Sequence, residues 1–464
     1  MEAPIFIGEL EITEPIAGLT LPERSDGPAY KGVQLLVRMR HVPVGYALLA
    51  ADVLDPVTIS GQVWSQLSAE INAHCRREGL PALDSLPVGG VWVDASAEAG
   101  PAELPMVSVV VCTRDRPESV IFALHGLTEL RYPSFEIVVV DNAPTSDATQ
   151  EAVRAEFGRD ARVRYVREPR PGLSCARNRG VGEARADIVA FTDDDVKPDP
   201  WWLDGIVRGF GVSSEVACVT GLIATAQLEN AAQLYFHLRE GWGTACEPRL
   251  FDLSGNRDGS PLYPYSAGIF GAGANFAMSR EVIKELGGFD EALGAGTPSG
   301  GGEDLDMFMR VILAGHQLAY EPSAIVSHYH RTDVAELSRQ MRAYGSGCTA
   351  ALTAMIMKSP RARFEIPARI GSGVLRVFTL NNRVGGNPTL PSGLMRLEIG
   401  GMLRGPWLYL KGRRVVRRAP SRLVGRASLR LEPGTPLRTR RAGCPASPPS
   451  SHRSPSRRRW SRRA

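Results

Sequence analysis

Between residues 107 and 195 the chain repeats one pattern: a short apolar run, a polar turn, then apolar residues at helical spacing. Val107-Ser108-Val109-Val110-Val111-Cys112 reads as a strand buried on both faces, and Pro117 stands where it can open the next helix. Glu136-Ile137-Val138-Val139-Val140 is a second strand ending at Asp141-Asn142. Asp147–Phe157 reads as a helix, Val163-Arg164-Tyr165-Val166 as a third strand, and Ser174–Ala184 as a further helix. That helix leads to Ile188-Val189-Ala190-Phe191-Thr192, a fourth strand running straight into Asp193-Asp194-Asp195. Strands alternating with helices in this βαβαβαβ order predict a parallel, doubly wound α/β sheet. Beyond Trp201 the pattern loosens into mixed helix and loop as far as about His330.

The flanks read differently. Residues 1–100 predict a small separate α+β module: strands at 33–40 and 44–49 around a short turn at His41-Val42-Pro43, then a helix over 58–78. A Pro/Ala/Glu-rich stretch from Ala95 to Pro105 reads as a linker. The spacing predicts mostly helix over 335–383 and an amphipathic segment over Leu397–Leu410. Residues 419–464 are rich in Arg, Pro and Ser with almost no periodic apolar positions, which predicts disorder. The organisation is therefore 1–100, a main domain at 105–335, a helical extension at 336–418, and a basic tail at 419–464.

Charge sharpens this division. From Lys411 onward there are 17 Lys and Arg against one acid, a net +16, whereas residues 1–410 carry 37 basic and 49 acidic residues. The tail suits peripheral contact with an anionic membrane, with Trp407 and Tyr409 at headgroup level. Toward nucleic acid it offers only nonspecific attraction. Its abrupt composition equally fits out-of-frame translation of GC-rich DNA. The 7 cysteines are scattered, without a CxxC pair or a Cys/His cluster, so structural zinc and a disulfide framework are excluded and a reducing cytoplasm is expected. No apolar run approaches the roughly 20 residues needed to span a bilayer.

The chemistry gathers at predicted strand ends, where ligands of open α/β sheets bind. Three adjacent carboxylates at 193–195 repel one another unless a cation, or a cation-bound phosphate, neutralises them. A solvated acidic turn is the alternative. Thr113-Arg114-Asp115-Arg116 follows the first strand, Asp141 ends the second, and Gly172–Asn178 opens the helix before the triplet. These supply a hydroxyl, acids that accept from ribose or base N–H groups, and arginines able to clamp phosphate. A second acidic site, Gly300-Gly301-Gly302-Glu303-Asp304, is backed by the apolar helix face of Leu305, Met307, Phe308, Val311 and Ile312.

Taken in order, Val107–Arg116, Val138–Asn142, Ala176-Arg177-Asn178, Phe191–Asp195 and Gly301–Asp304 resemble family 2 glycosyltransferases of the GT-A fold, over roughly residues 105–335. The resemblance implies a Rossmann-like mixed, mainly parallel sheet with flanking helices, holding a nucleotide-diphosphate sugar donor at the sheet edge. It places Asp141 at the base, Thr113 and Arg177 at the nucleotide or diphosphate with Arg114, Asp115 and Asp194 nearby, and Asp193 near the ribose. It gives Asp195 to Mg²⁺ or Mn²⁺, with Asp193 and His328 as further ligand candidates. Because the triplet leaves the register open, Asp194 is an alternative ligand. In the family the Asp of the Glu-Asp pair is the general base, a role carried to Asp304 beside Glu303, with one of the two acids expected to cap the helix. Gly271–Phe276, including Asn275, resembles the glycine-rich strand entering the sugar pocket.

The implied activity is metal-dependent, inverting transfer of a sugar to an acceptor hydroxyl on a glycan, a lipid-linked compound or a small molecule. A cell-envelope polysaccharide pathway and a cytoplasmic location, peripheral at the inner face of the membrane, would suit it. Gln340-Met341-Arg342-Ala343-Tyr344 does not match the Gln-x-x-Arg-Trp motif of processive members, which argues against a polymer-extruding synthase. A sugar nucleotidyltransferase and a catalytically silent nucleotide-sugar-binding protein are the alternatives. If the tail is disordered, deleting residues 419–464 shifts the thermal melting transition by no more than about 0.5 kcal/mol in stability; failure of the truncated chain to fold, read by circular dichroism, would refute the disorder.

Overall fold

The structure, a computed structural model, describes residues 2–24, 27–52, 54–92, 104–240, 245–369, 371 and 390–418. The basic tail at 419–464 and most of the expected 95–105 linker lie outside the described residues, as does part of the helical reading over 335–383.

The N-terminal module consists of β1 (Ile5–Glu11), β2 (Gly32–Met39), β3 (Val42–Leu49) and α1 (Pro56–Arg77). β1 runs parallel to β2, and β2 and β3 form a hairpin. The turn is Arg40-His41 rather than 41–43. Both residues take positive φ, 51° and 64°, as a two-residue turn matching strand twist requires, so Val42 and Pro43 fall inside β3. The Asp55 carboxylate accepts from the Val57 and Thr58 N–H groups at the start of α1. Ile59, Val63, Leu67 and Ile71 of α1 then pack on Leu35, Val37 and Ala47 in a core of the module's own. The module is fastened to the main domain by the buried Arg38 guanidinium, which donates to Asp199 at 2.6 Å and to Glu9 at 2.8 Å. His41 stacks on Trp201 with ring centroids 4.5 Å apart.

The expected α/β alternation is present: β4 (Val107–Thr113), α2 (Pro117–Thr128), β5 (Phe135–Asn142), α3 (Ala148–Phe157), β6 (Val163–Glu168), α4 (Leu173–Glu183) and β7 (Ile188–Asp193). Its continuous apolar runs follow from burial on two faces. Val110, Val138 and Val140 point to one layer of helices, and Val109, Val111, Ile137 and Val139 point to the other.

The looser stretch after Trp201 contains more sheet than its pattern suggests: β8 (Val196–Pro198), α5 (Trp202–Gly211), β9 (Val216–Thr225), α6 (Ala231–Glu240), β10 (Arg249–Phe251), β11 (Asn275–Ser279), α7 (Arg280–Glu285), α8 (Glu303–Leu313) and β12 (Gln317–His328). The sheet order is β10-β12-β9-β11-β7-β4-β5-β6, with β8 paired to β12. β11 is antiparallel to both neighbours, β7 and β9. The result is the mixed sheet with flanking helices that the resemblance implies, most of its strands sharing one direction. β9 is buried along its whole length, yet Thr220 and Gly221 interrupt its apolar run, which hid it in the sequence.

The extension supplies α9 (Val334–Lys358), α10 (Pro360–Ala368) and α11 (Leu394–Arg418). α9 and α11 approach so closely that a side chain at Gly401 or Gly405 would press on the α9 backbone. The expected headgroup pair is divided. Trp407 is exposed, but Tyr409 is buried and donates to Asp290 Oδ2 at 2.8 Å, because its face of α11 lies against the main domain. No helix among the described residues is long and apolar enough to cross a membrane.

Asn275 belongs to this framework and not to an open pocket. The β9–β12 pairing slips between Glu321 and Ile325, which leaves the Ala324 carbonyl off the ladder. Asn275 Nδ2 donates to that carbonyl at 2.7 Å and to Leu222 O at 2.8 Å, while its Oδ1 accepts from Trp202 Nε1 at 2.8 Å. Asn275→Ala strands all three buried partners and is expected to cost on the order of 2–4 kcal/mol. Chemical denaturation of variant and wild type measures it, and an unchanged midpoint would refute the bridging role.

Candidate functional site

Parallel pairing brings the strand ends level. Thr113 of β4 stands opposite Asp141 of β5, and Cys112 stands opposite Asp193 of β7. The side chains of the triplet then part company. Asp194 turns inward, where Thr113 Oγ1 donates to its Oδ2 and Arg116 to its Oδ1, both at 2.6 Å. Both oxygens are taken, and burial still pushes its carboxyl above the usual range against the pull of Arg116. Asp194 therefore ties the β7 end to the β4 loop, and the Thr113 hydroxyl is spent on it.

Asp193 and Asp195 are less tightly engaged. Asp195 has Arg331 at 3.2 Å, Arg116 at 3.5 Å and His328 Nε2 at 3.8 Å. Asp193 keeps about a third of its side chain open (35%) and stands 3.7 Å from Arg177. Desolvation first, and then its two acidic neighbours, push its carboxyl up to about 8 despite Arg177. A carboxylate so destabilised in its charged form is one that a cation would relieve.

Asp141 is fully buried. Its Oδ2 accepts from Tyr165 at 2.7 Å, but its Oδ1 has no partner, and burial raises its pKa. An orphaned buried acceptor at a strand end is a place for a ligand N–H. Asp115 accepts from the Thr145 N–H and hydroxyl at 2.8 and 3.0 Å, contacts that lower its pKa and close the loop beside Asp141. Arg114 is half exposed, 3.7 Å from Asp115.

Arg177 sits on α4, buried among Phe191, Phe276 and Phe289. It donates to Glu303 Oε1 and to the Gly273 carbonyl, both at 2.9 Å. The Gly273 N–H in turn donates to Asp304 Oδ2 at 2.8 Å. A Cβ at residue 273 would stand 2.9 Å from the Arg177 guanidinium and 3.0 Å from the Asp304 carboxylate, so a larger residue would press on both groups. Glu303 is pushed up to about 7, by burial first and then by Asp304. α8 starts from Gly302 at φ 91° with no capping side chain at that position; of the two acids Glu303 turns to Arg177, and Asp304 Oδ1 accepts from the Leu305 N–H of the first turn at 2.8 Å. Gly302 in turn lies against the Gly347 backbone of α9, which seats the acidic turn.

Asp193, Arg177, Glu303, Asp304 and His328 line one end of a cavity of about 930 Å³. Thr113, Arg114, Asp115, Asp141 and Asp194 lie outside it, at the neighbouring ends of β4, β5 and β7. The expected site residues thus form two groups, joined through Asp193 and Asp195. Arg116, Arg331, Gly273 and Tyr165 complete the arrangement. Arg116 and Arg331 adjoin the motifs in sequence, but their 78- and 136-residue separations from their partner acids carry no local signal. His328 Nδ1 meets His330 Nδ1 at 3.1 Å, and His330 continues through Thr225 to His237. Burial lowers the pKa of all three imidazoles.

Among the described residues no three His, Cys, Asp or Glu side chains converge tightly enough to hold a metal by themselves. His328 Nε2 stands 3.8 Å from Asp195, and Asp193, two residues before it, keeps part of its carboxylate open, so two hard oxygen donors and one imidazole lie in this region. That incomplete set fits Mg²⁺ or Mn²⁺, ions commonly held by one or two carboxylates together with substrate phosphates.

Comparison with known proteins adds the family. The family model described as Glycosyl transferase family 2 matches residues 108–287, a segment that ends before Glu303 and Asp304. The chain is 28% identical over 240 residues to the pre-mycofactocin glycosyltransferase of Mycobacterium tuberculosis, an alignment covering 52% of this chain and 46% of that one. It is 28% identical over 232 residues to the succinoglycan biosynthesis protein ExoM of Rhizobium meliloti, covering 49% and 67% of the two. Among solved structures, the mannosyltransferase PcManGT from Pyrobaculum calidifontis, in complex with GDP-Man and Mn²⁺, aligns with a TM-score of 0.45 and 18% identity, over 76% of this chain and 98% of that one. The chain spans about half the length of the mycobacterial relative. Residues 108–287, which hold the strand-end acids and arginines, are thus similar to glycosyl transferase family 2.

Proposed function

We propose that the protein is a divalent-metal-dependent glycosyltransferase that moves a sugar from a nucleotide-diphosphate donor to an acceptor hydroxyl, inverting the anomeric centre. The observation that carries this reading is the buried Arg177 guanidinium, 2.9 Å from Glu303 and 3.7 Å from Asp193. It supports the reading by linking Asp193 to Glu303, next to Asp304, at one end of the cavity.

The unpartnered Asp141 Oδ1 accepts from the nucleobase, and the half-exposed Arg114 stands beside it. Asp193 and Asp195, with His328, hold Mg²⁺ or Mn²⁺. When bound, the ion supplies Lewis-acid neutralisation of charge on the departing diphosphate. Arg116 and Arg331 keep Asp195 in place while it is shared. Asp304 is the general base. Its Oδ2 is fixed by the Gly273 N–H and its Oδ1 by the Leu305 N–H, so the carboxylate is oriented before substrate arrives. It takes the proton of the acceptor hydroxyl as that oxygen attacks the anomeric carbon from the side opposite the diphosphate. One such displacement inverts the configuration. Exposed Leu403, Trp407 and Leu410 on α11, beside Arg404, Lys411 and Arg414, support peripheral contact with an anionic membrane.

Incubation with a panel of nucleotide sugars and Mn²⁺ should release nucleoside diphosphate and yield an inverted glycoside by NMR. Release of pyrophosphate would indicate a nucleotidyltransferase instead. Asp304→Asn should bind donor normally by calorimetry and lose transfer by about 10²–10⁴-fold; near-wild-type turnover would remove Asp304 as base. Asp195→Ala should abolish Mn²⁺-dependent donor binding, and unchanged affinity would remove Asp195 from the metal site.

A further inference from the structure

The cavity that begins at Asp304 does not continue as a sugar site. Leu305, directly after the acid, and Met309, about one turn further on the same helix, start an apolar wall. Leu352 and Ile356 of α9, Ile366 of α10 and Met402 of α11 extend it. The polar groups along the opposite wall are engaged with one another. Arg239 pairs with Glu398 at 2.7 Å, Thr225 joins His237 and His330, and Thr349 Oγ1 donates to the Met402 carbonyl at 2.7 Å. A polyhydroxylated acceptor needs many free donors and acceptors, since each desolvated hydroxyl left unpaired costs about 1–3 kcal/mol. Among the described residues, the cavity's one buried polar side-chain atom without a partner is Ser266 Oγ, on a residue only 9% exposed. The volume of about 930 Å³ falls within the range of a whole small-molecule site, roughly 300–1,000 Å³.

We infer that this cavity binds the acceptor, and that the acceptor is a compact molecule with an apolar, alkyl or aryl body that presents a hydroxyl to Asp304. The inference rests on the transferase reading for the hydroxyl's fate, but the apolar wall specifies the body independently. Ser266, whose Oγ has no partner, is placed to hydrogen-bond a second polar group on that body. The open end of the cavity, at the 80% exposed Leu403 of α11, is the route of entry.

The test uses the full-length protein and three probes: 4-biphenylmethanol, dodecyl glucoside and maltotriose. Binding is followed by calorimetry, and Mn²⁺-dependent donor binding is followed separately. Biphenylmethanol should bind, maltotriose should not, and Leu352→Gln should weaken biphenylmethanol at least tenfold without changing donor affinity. Leu403→Gln at the exposed rim repeats the test at a position that cannot disturb the core, with a several-fold loss expected. Maltotriose binding as well as biphenylmethanol, or no loss in either variant, would overturn the assignment. So would dodecyl glucoside binding tenfold more tightly than biphenylmethanol, which would make the occupant a lipid chain. Absent donor binding with intact biphenylmethanol binding would refute the transferase reading and leave the apolar cavity standing; the reverse pattern would refute the cavity alone.

Discussion

A buried guanidinium cannot stand alone, and much of this site follows from that constraint. Arg177 is only 2% exposed among three aromatic rings, so its charge must be met by protein groups. Glu303 and the Gly273 carbonyl meet it, and both are thereby fixed in place. The Gly273 peptide presents its carbonyl to Arg177 and its N–H to Asp304. The orientation of Asp304 is thus set by a cation it does not touch. Replacing both charges by apolar groups could preserve stability, since buried ion pairs are often no better than hydrophobic packing. It would release the Gly273 peptide and with it the carboxylate.

The same economy explains the acidic triplet. β7 ends at Asp193, and in the turn that follows Asp194 is buried while Asp195 stays partly open. The inward acid is neutralised by Thr113 and Arg116, which makes it part of the β4–β7 junction. The more open pair has cationic neighbours only at 3.2 Å or beyond. Three acids in a row thus divide into one structural tie and two groups with capacity left for a ligand.

The α/β half was legible because both faces of its strands are buried, so β4, β5 and β7 write themselves as unbroken apolar runs ended by Thr113, Asp141 and Asp193. The triplet was legible because a carboxylate cluster directly after an apolar run conflicts with burial unless it does something, and Glu303-Asp304 because it stands between three glycines and an apolar helix face. β9 was hidden because Thr220 and Gly221 break its apolar run, and β12 was legible only at Ala324-Ile325-Val326, at its register shift. Asn275 was misread because a glycine-rich turn looks alike whether it admits a ligand or a neighbouring backbone. Arg177 was found, but its partners were not, since pairing across 126 residues leaves no trace in local spacing. Tyr409 was taken for an interfacial residue because one helix can present aromatics on two faces, and only α9 and Asp290 decide which face is covered.

The helical extension then ceases to be an appendage. α9 supports the turn that carries the proposed base, Asp304, through Gly347, which lies against Gly302, and it supplies Leu352 and Ile356 to the cavity wall. α11 presses its small residues onto α9 and contributes Met402 and Leu403 to the same wall. One helix pair therefore seats the proposed base and shapes the space in front of it. Changes in side-chain volume on the outer turns of α9 and α11 can alter that space without disturbing Arg177, Glu303 or Gly273. A fold built this way separates what must stay fixed for proton transfer from what can vary for acceptor choice.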